Sequence, residues 1–124
     1  MKTWILAGMI VGASVGAALA QEDAAFRKWC LPCHDAGEGA KIKLGPPLNG
    51  LAGRPAGTFA GFNYSDAMKN SGITWNEPTF KEFVRGPMQK VPGTRMAFTG
   101  VKDDNEVNQL WDYLKQFDAE GKKK

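Results

Sequence analysis

The chain has 124 residues, a formal net charge of +3 and 43% hydrophobic residues. That is material for one small domain with a modest core, and the charge is too mild, with no basic patch interleaved with aromatics, for a nucleic-acid surface. Two cysteines and one histidine are too few for a disulfide scaffold or for a four-ligand structural zinc site.

At the N-terminus, Lys2 precedes an apolar, small-residue-rich stretch over 4–19, and Ala18-Leu19-Ala20 has the small-x-small form of an export cleavage site. The stretch is short and weakly hydrophobic for a membrane span. The expected organisation is a cleavable secretory signal over 1–20, a single domain over 21–124, and a periplasmic location.

Phe26, Trp29, Cys30 and Cys33 fall at i, i+3, i+4 and i+7, one stripe of a helix. Glu22 and Asp23 stand where the dipole of its first turn favours acids. Such a helix presents both cysteines on one face, and Pro32 marks its bend or end. The run Cys30-Leu31-Pro32-Cys33-His34 contains every cysteine and histidine of the chain. Two thiols at this spacing can add to the two vinyl groups of one haem, and the histidine that follows then lies under the iron as its proximal ligand. This is the attachment signature of c-type haem. A redox disulfide would want a βαβ context, and no strand alternation is present. Zinc would want ligands from more than this one stretch.

From 36 to 61 the chain is dense in glycine and proline, including Gly45-Pro46-Pro47, and has no sustained period. It reads as a long ordered loop. A loop of this length normally counts against an assignment, and wrapping a haem is the kind of case that supports one. Ser65 caps a short helix to Asn70, with Gly72 beyond it. Asn76 caps a second helix with Glu77 and Pro78 in its first turn and Phe80, Phe83 and Val84 on its apolar side, and Gly86-Pro87 stops it. Asp103 and Glu106 have capping-box spacing ahead of the last helix. Its stripe of Val107, Leu110, Trp111, Leu114 and Phe117 packs on the Phe26 helix. The tail Lys122-Lys123-Lys124 reads as a frayed, solvated end.

A proximal histidine leaves one iron position open, and function turns on what fills it. With no second histidine, the candidates after the signal are Met68, Met88 and Met96. The first two fall in short helices, where methionine usually fills gaps. Met96 follows a Pro92-Gly93 turn that can aim a side chain across a cofactor, and Thr94 stands where a hydrogen bond would hold that loop.

The chain resembles class I cytochrome c, of the mitochondrial and bacterial c2 type, from about Phe26 to Phe117. The stretches that carry the resemblance are Cys30-Leu31-Pro32-Cys33-His34, Gly45-Pro46-Pro47-Leu48-Asn49-Gly50-Leu51, Gly61-Phe62-Asn63-Tyr64-Ser65, Gly72-Ile73-Thr74-Trp75 and Pro92-Gly93-Thr94-Arg95-Met96. The resemblance implies an all-α fold of about three main helices, with short helices and long loops wrapped round one haem c on two thioethers. It implies His34 and Met96 as axial ligands and the Pro46 carbonyl as acceptor from the other His34 nitrogen. Tyr64 and Trp75, with Arg54 beside them, would hydrogen-bond a propionate, and Phe98 would screen the haem edge. The chain would be a monomeric, soluble one-electron carrier and not an enzyme. It would dock transiently at a quinol–cytochrome c reductase, a terminal oxidase, a photosynthetic reaction centre or a periplasmic dehydrogenase.

The chain departs from that pattern in places. Met68 and Phe83 replace polar Asn and Tyr beside the methionine ligand, which dries the crevice. Glu22 stands where relatives have a glycine at the contact of the first and last helices. Lys28, Lys41, Lys43, Arg95 and Lys102 supply part of a basic ring, while Ala24, Trp29, Met88, Gln89 and Asp103 interrupt it, so the docking face is expected to be more apolar. An open-site haem protein, peroxidase-like or gas-binding, and a thiol–disulfide oxidoreductase are the competing readings.

Overall fold

A computed structural model describes Gly8 and residues 22–124. The signal expected over 1–20 lies, apart from Gly8, outside the described residues. Among the described residues five helices follow in order: α1 (Ala24–Trp29), α2 (Asp66–Lys69), α3 (Glu77–Arg85), α4 (Pro87–Lys90) and α5 (Asp104–Leu114). Among the described residues there are two isolated β-bridges, Pro55 with Thr74 and Phe117 with Lys123, and no helix is long and apolar enough to cross a membrane.

The core lies where α5 packs on α1 on one side and on α3 on the other. Val107, Leu110 and Leu114 on α5 are fully buried, and each such side chain contributes about 1.5–3 kcal/mol by leaving water. Phe26 of α1 meets Tyr113 at 5.2 Å between ring centroids, and Phe80 of α3 meets Trp111 at 5.3 Å. The α5 stripe therefore divides between two partners rather than serving α1 alone. Phe117 lies past the helix end and stacks on Tyr113 at 5.1 Å.

Local signals account for the helix ends. The Ser65 hydroxyl accepts from the Met68 amide at 3.1 Å. Asn76 and Thr79 form a reciprocal capping box, with Thr79 N donating to Asn76 Oδ1 at 3.0 Å and Asn76 N donating to Thr79 Oγ1 at 2.9 Å. Gly86 ends α3 because the next residue, Pro87, has no amide proton. Pro87 then opens α4 as its first residue, a position that suits its fixed φ.

Four expectations are corrected. Helix α1 starts at Ala24 with Asp23 as its N-cap residue, so no acid lies in its first turn. It ends at Trp29, ahead of Pro32, so Cys30 is its C-cap residue and Cys33 stands in the following turn, off the helix. The Asp103–Glu106 box is half formed: Asp103 accepts from Glu106 N at 3.0 Å, while the Glu106 side chain bonds elsewhere. The tail is tied down along its backbone, although its lysines are exposed. Asp118 Oδ1 accepts from Lys122 N at 2.9 Å, Lys124 N donates to Gln116 O at 2.8 Å, and a side chain at Gly121 would strike the Gly37 carbonyl. At the Glu22 departure, Gln116 Nε2 donates to Glu22 Oε1 at 2.9 Å, so a polar tie stands at that helix contact.

Truncating Leu110 to alanine removes a fully buried anchor and is expected to lower the unfolding free energy by about 3 kcal/mol. Asn76→Ala removes one cap and should cost about 1 kcal/mol. Denaturant titration of the two variants against the parent checks both size and order.

Candidate functional site

The attachment run sits at the C-terminal end of α1. Cys30 N donates to Phe26 O at 2.8 Å, closing the last helical turn, and His34 N donates back to Cys30 O at 2.8 Å. Cys30 is buried and Cys33 exposed, and both thiols are free. Burial, reinforced by the neighbouring Cys33, pushes the Cys30 thiol up to about 12. A thiol–disulfide oxidoreductase needs the opposite, an acidified and accessible thiolate.

His34 is buried to 9% exposure. Its Nδ1 lies 2.7 Å from the Pro46 carbonyl oxygen, which can only accept, so Nδ1 carries the proton and Nε2 keeps its lone pair for a metal. Burial pushes the imidazole pKa down, with the Lys43 charge in support, against the upward pull of the Pro46 bond. The ring is therefore held neutral, as a metal ligand must be. Gly45 makes this approach possible, because a β-carbon there would overlap the imidazole.

The surrounding loop is braced from several directions. Gly45 N donates to Cys33 O at 2.8 Å and Leu48 N to Asp35 O at 2.9 Å. The Lys43 ammonium donates to the Leu31 carbonyl and, at 3.3 Å, to that of His34. Asn49, a buried polar residue, accepts from Gly37 N at 2.7 Å and donates to Gly37 O at 2.9 Å. Sequence reading named neither Lys43 nor Asn49 as a site residue. Asn49 lay inside a quoted family stretch, but its partner Gly37 is twelve residues away and no local pattern links them.

Arg54 donates through Nη1 to Asn49 O at 2.9 Å, lies over the Phe59 ring, and keeps its Nε buried with no partner. Burial works against its charge. Trp75 N donates to Arg54 O at 2.9 Å, so the backbone places Trp75 beside Arg54. The Trp75 ring packs on Phe83 at 5.1 Å. The Tyr64 hydroxyl accepts from Phe59 N at 3.1 Å, which leaves its proton to donate. A half-buried guanidinium whose buried Nε has no partner fits a group that brings an anionic carboxylate beside it.

On the other side, Thr94 Oγ1 accepts from Met96 N at 3.2 Å, and Arg95 Nη1 donates to Asn63 O at 3.0 Å. Met96 and Phe98 are partly buried against the core. Met68 is buried, whereas Met88 is 46% exposed, so the gap-filling role expected of Met88 is not what it does. Phe83 is buried with Met68. The residues thus fit a haem c: two thiols and a neutral imidazole in one turn, a second soft donor from a separate loop, and a half-buried guanidinium whose Nε has no partner. Among the described residues no three or more His, Cys, Asp or Glu side chains gather to hold a bare metal ion.

No family model matches the chain. It is 62% identical over 99 residues to cytochrome c2 of Rhodoplanes tepidamans, covering 80% of this chain and 92% of that one. It is 52% identical to cytochrome c2 of Blastochloris viridis across the full length of both chains. Among solved structures, cytochrome cH from Methylobacterium extorquens superposes with a TM-score of 0.70 at 38% identity, over 77% of this chain and 95% of the other.

Gly45→Ala is expected to displace the imidazole from the Pro46 carbonyl and sharply reduce the yield of haem-loaded protein, while Gly39→Ala, whose added carbon meets nothing, spares more of it. Haem absorbance per polypeptide from a maturation-competent host measures this.

Proposed function

The chain belongs to the class I cytochromes c, and from that premise we propose that Cys30 and Cys33 would hold its haem c by two thioethers while His34 and Met96 would supply the ligands of its iron. The protein is an electron carrier and not an enzyme. The observation that carries the ligand assignment is the buried, Nδ1-protonated His34 bonded to Pro46, which aims one lone pair in one direction.

Bound haem supplies a one-electron couple whose potential follows its axial ligands and the polarity around them. The chain's own residues do the rest. His34 is oriented by Pro46 and kept neutral by burial. Met96, closing the second position, leaves no place for substrate, and this favours a carrier over an open-site peroxidase-like or gas-binding protein. Arg54, Tyr64 and Trp75 would receive a propionate, whose carboxylate would neutralise the half-buried Arg54 charge. Thr94 holds the Met96 loop, and Phe98 covers the edge beside it.

The carrier works in the periplasm after export through the 1–20 signal. As a soluble monomer, it exchanges electrons with membrane redox complexes: a quinol–cytochrome c reductase, a terminal oxidase, a reaction centre or a dehydrogenase. Its docking rim mixes charge with apolar surface. Leu44 is 82% exposed and Met88 46%, while Lys28 and Lys102 are engaged with Glu106 and the Arg85 carbonyl. Fewer free cations mean weaker long-range steering.

Met96→Ala is expected to abolish the ferric methionine–iron charge-transfer band and let the ferrous protein bind carbon monoxide. Retention of that band would move the ligand to another residue, and a colourless parent protein would select the thiol enzyme. Electron transfer to a membrane complex should change little between low and physiological ionic strength, and a steep fall with salt would contradict the weak-steering reading.

A further inference from the structure

The half-formed capping box at the start of α5 frees a carboxylate. Glu106 turns to α1, where its Oε2 accepts from the Trp29 indole N–H at 2.6 Å and from Lys28 Nζ at 3.2 Å. Lys28 also lies over the Trp29 ring, 4.7 Å from its centroid. An ionised acceptor makes the indole bond stronger than a neutral pair. The Trp29 ring in turn meets Phe98 at 6.0 Å and 65°, an edge-to-face pair. Phe98 stands two residues beyond Met96, and its amide bonds the Met96 carbonyl at 2.9 Å. Glu106, Trp29 and Phe98 therefore form one chain of contacts from the α5 N-terminus, across the end of α1, to the Met96 loop.

We propose that Trp29 is a positioning residue which, clamped by Glu106, holds the Met96 loop closed and sets how often Met96 leaves the iron. This rests on the reading of Met96 as axial ligand. The other side-chain ties of that loop are Thr94 to Met96 N and Arg95 to Asn63 O. The first is internal to the loop and moves with it. The second is exposed to solvent. The Trp29–Phe98 pair is an aromatic contact that joins the loop to α1 on the partly buried side, so its loss weights the open form. Trp29 also precedes Cys30 directly, which ties the clamp to the haem attachment point.

The test is imidazole affinity of the ferric holoprotein. Imidazole binds once Met96 has withdrawn, so its apparent affinity scales with the open fraction. Trp29→Ala should tighten apparent imidazole binding by about tenfold, the factor an aromatic pair of this kind supports. Trp29→Phe keeps a ring against Phe98 and should shift it less. Glu106→Ala should shift it in the same direction by a smaller factor, and Glu106→Gln, whose amide oxygen still accepts, should restore most of the closed form. Amide hydrogen exchange at Met96 and Phe98 should accelerate in the same order. Phe117→Ala serves as a control for lost stability, since Phe117 packs on Tyr113 away from this chain, and should leave imidazole affinity within about twofold. Unchanged affinity in Trp29→Ala, or an equal shift in Phe117→Ala, overturns the proposal. A parent protein lacking the methionine–iron band would instead overturn the ligand assignment beneath it.

Discussion

The hydrogen bond from His34 to the Pro46 carbonyl is the interaction on which the arrangement of this chain depends. It joins the turn after α1 to a loop that has no regular secondary structure of its own, across twelve residues at 2.7 Å. Its formation demands a glycine at 45, since any side chain there would occupy the space of the imidazole. Around it lie the other ties of the loop: Gly45 to Cys33, Leu48 to Asp35, Lys43 to the carbonyls of the attachment turn, and Asn49 to Gly37. A backbone without helix or sheet partners must satisfy its polar groups this way or leave them exposed.

The two sides of the site are built differently. The His34 side is held by backbone and side-chain hydrogen bonds within the stretch 30–54. The Met96 side hangs on a turn, a hydroxyl contact from Thr94, an exposed Arg95 bond to Asn63 O, and aromatic packing against α1. A carrier gains from ligands that do not rearrange between oxidation states, which makes the more lightly braced Met96 side the place where the proposed Trp29 clamp would matter. That asymmetry follows from chain geometry: His34 shares its turn with Cys30 and Cys33, whereas Met96 stands on a separate segment that needs its own supports.

Much of this was legible from local chemistry. The spacing of Cys30, Cys33 and His34, the caps at Ser65 and Asn76, and the apolar stripe of α5 all rest on interactions within one or two turns of chain, which sequence periodicity reports directly. The resemblance placed Pro46 opposite His34, where it stands. Other features were misread for a common reason. The stripe through Cys33 puts both cysteines on one helical face with Pro32 as the bend or end, but the helix stops at Trp29, ahead of Pro32, and leaves Cys33 in the following turn. The tail was read as frayed because three lysines in a row signal solvent, yet its backbone found partners in Gln116 and its small Gly121 nested against Gly37.

Local spacing thus sufficed to place the haem-bearing turn, because it rests on residues close in sequence and a motif with few alternatives, while the all-α frame and the role expected of Met96 came from the family resemblance. Tertiary packing alone settled where Glu106, Asn49 and the tail direct their polar groups. Glu106 reaches Trp29 across 77 positions of chain, and no periodicity encodes which of two competing partners, its own helix cap or a neighbouring indole, lies nearer once α1 and α5 cross.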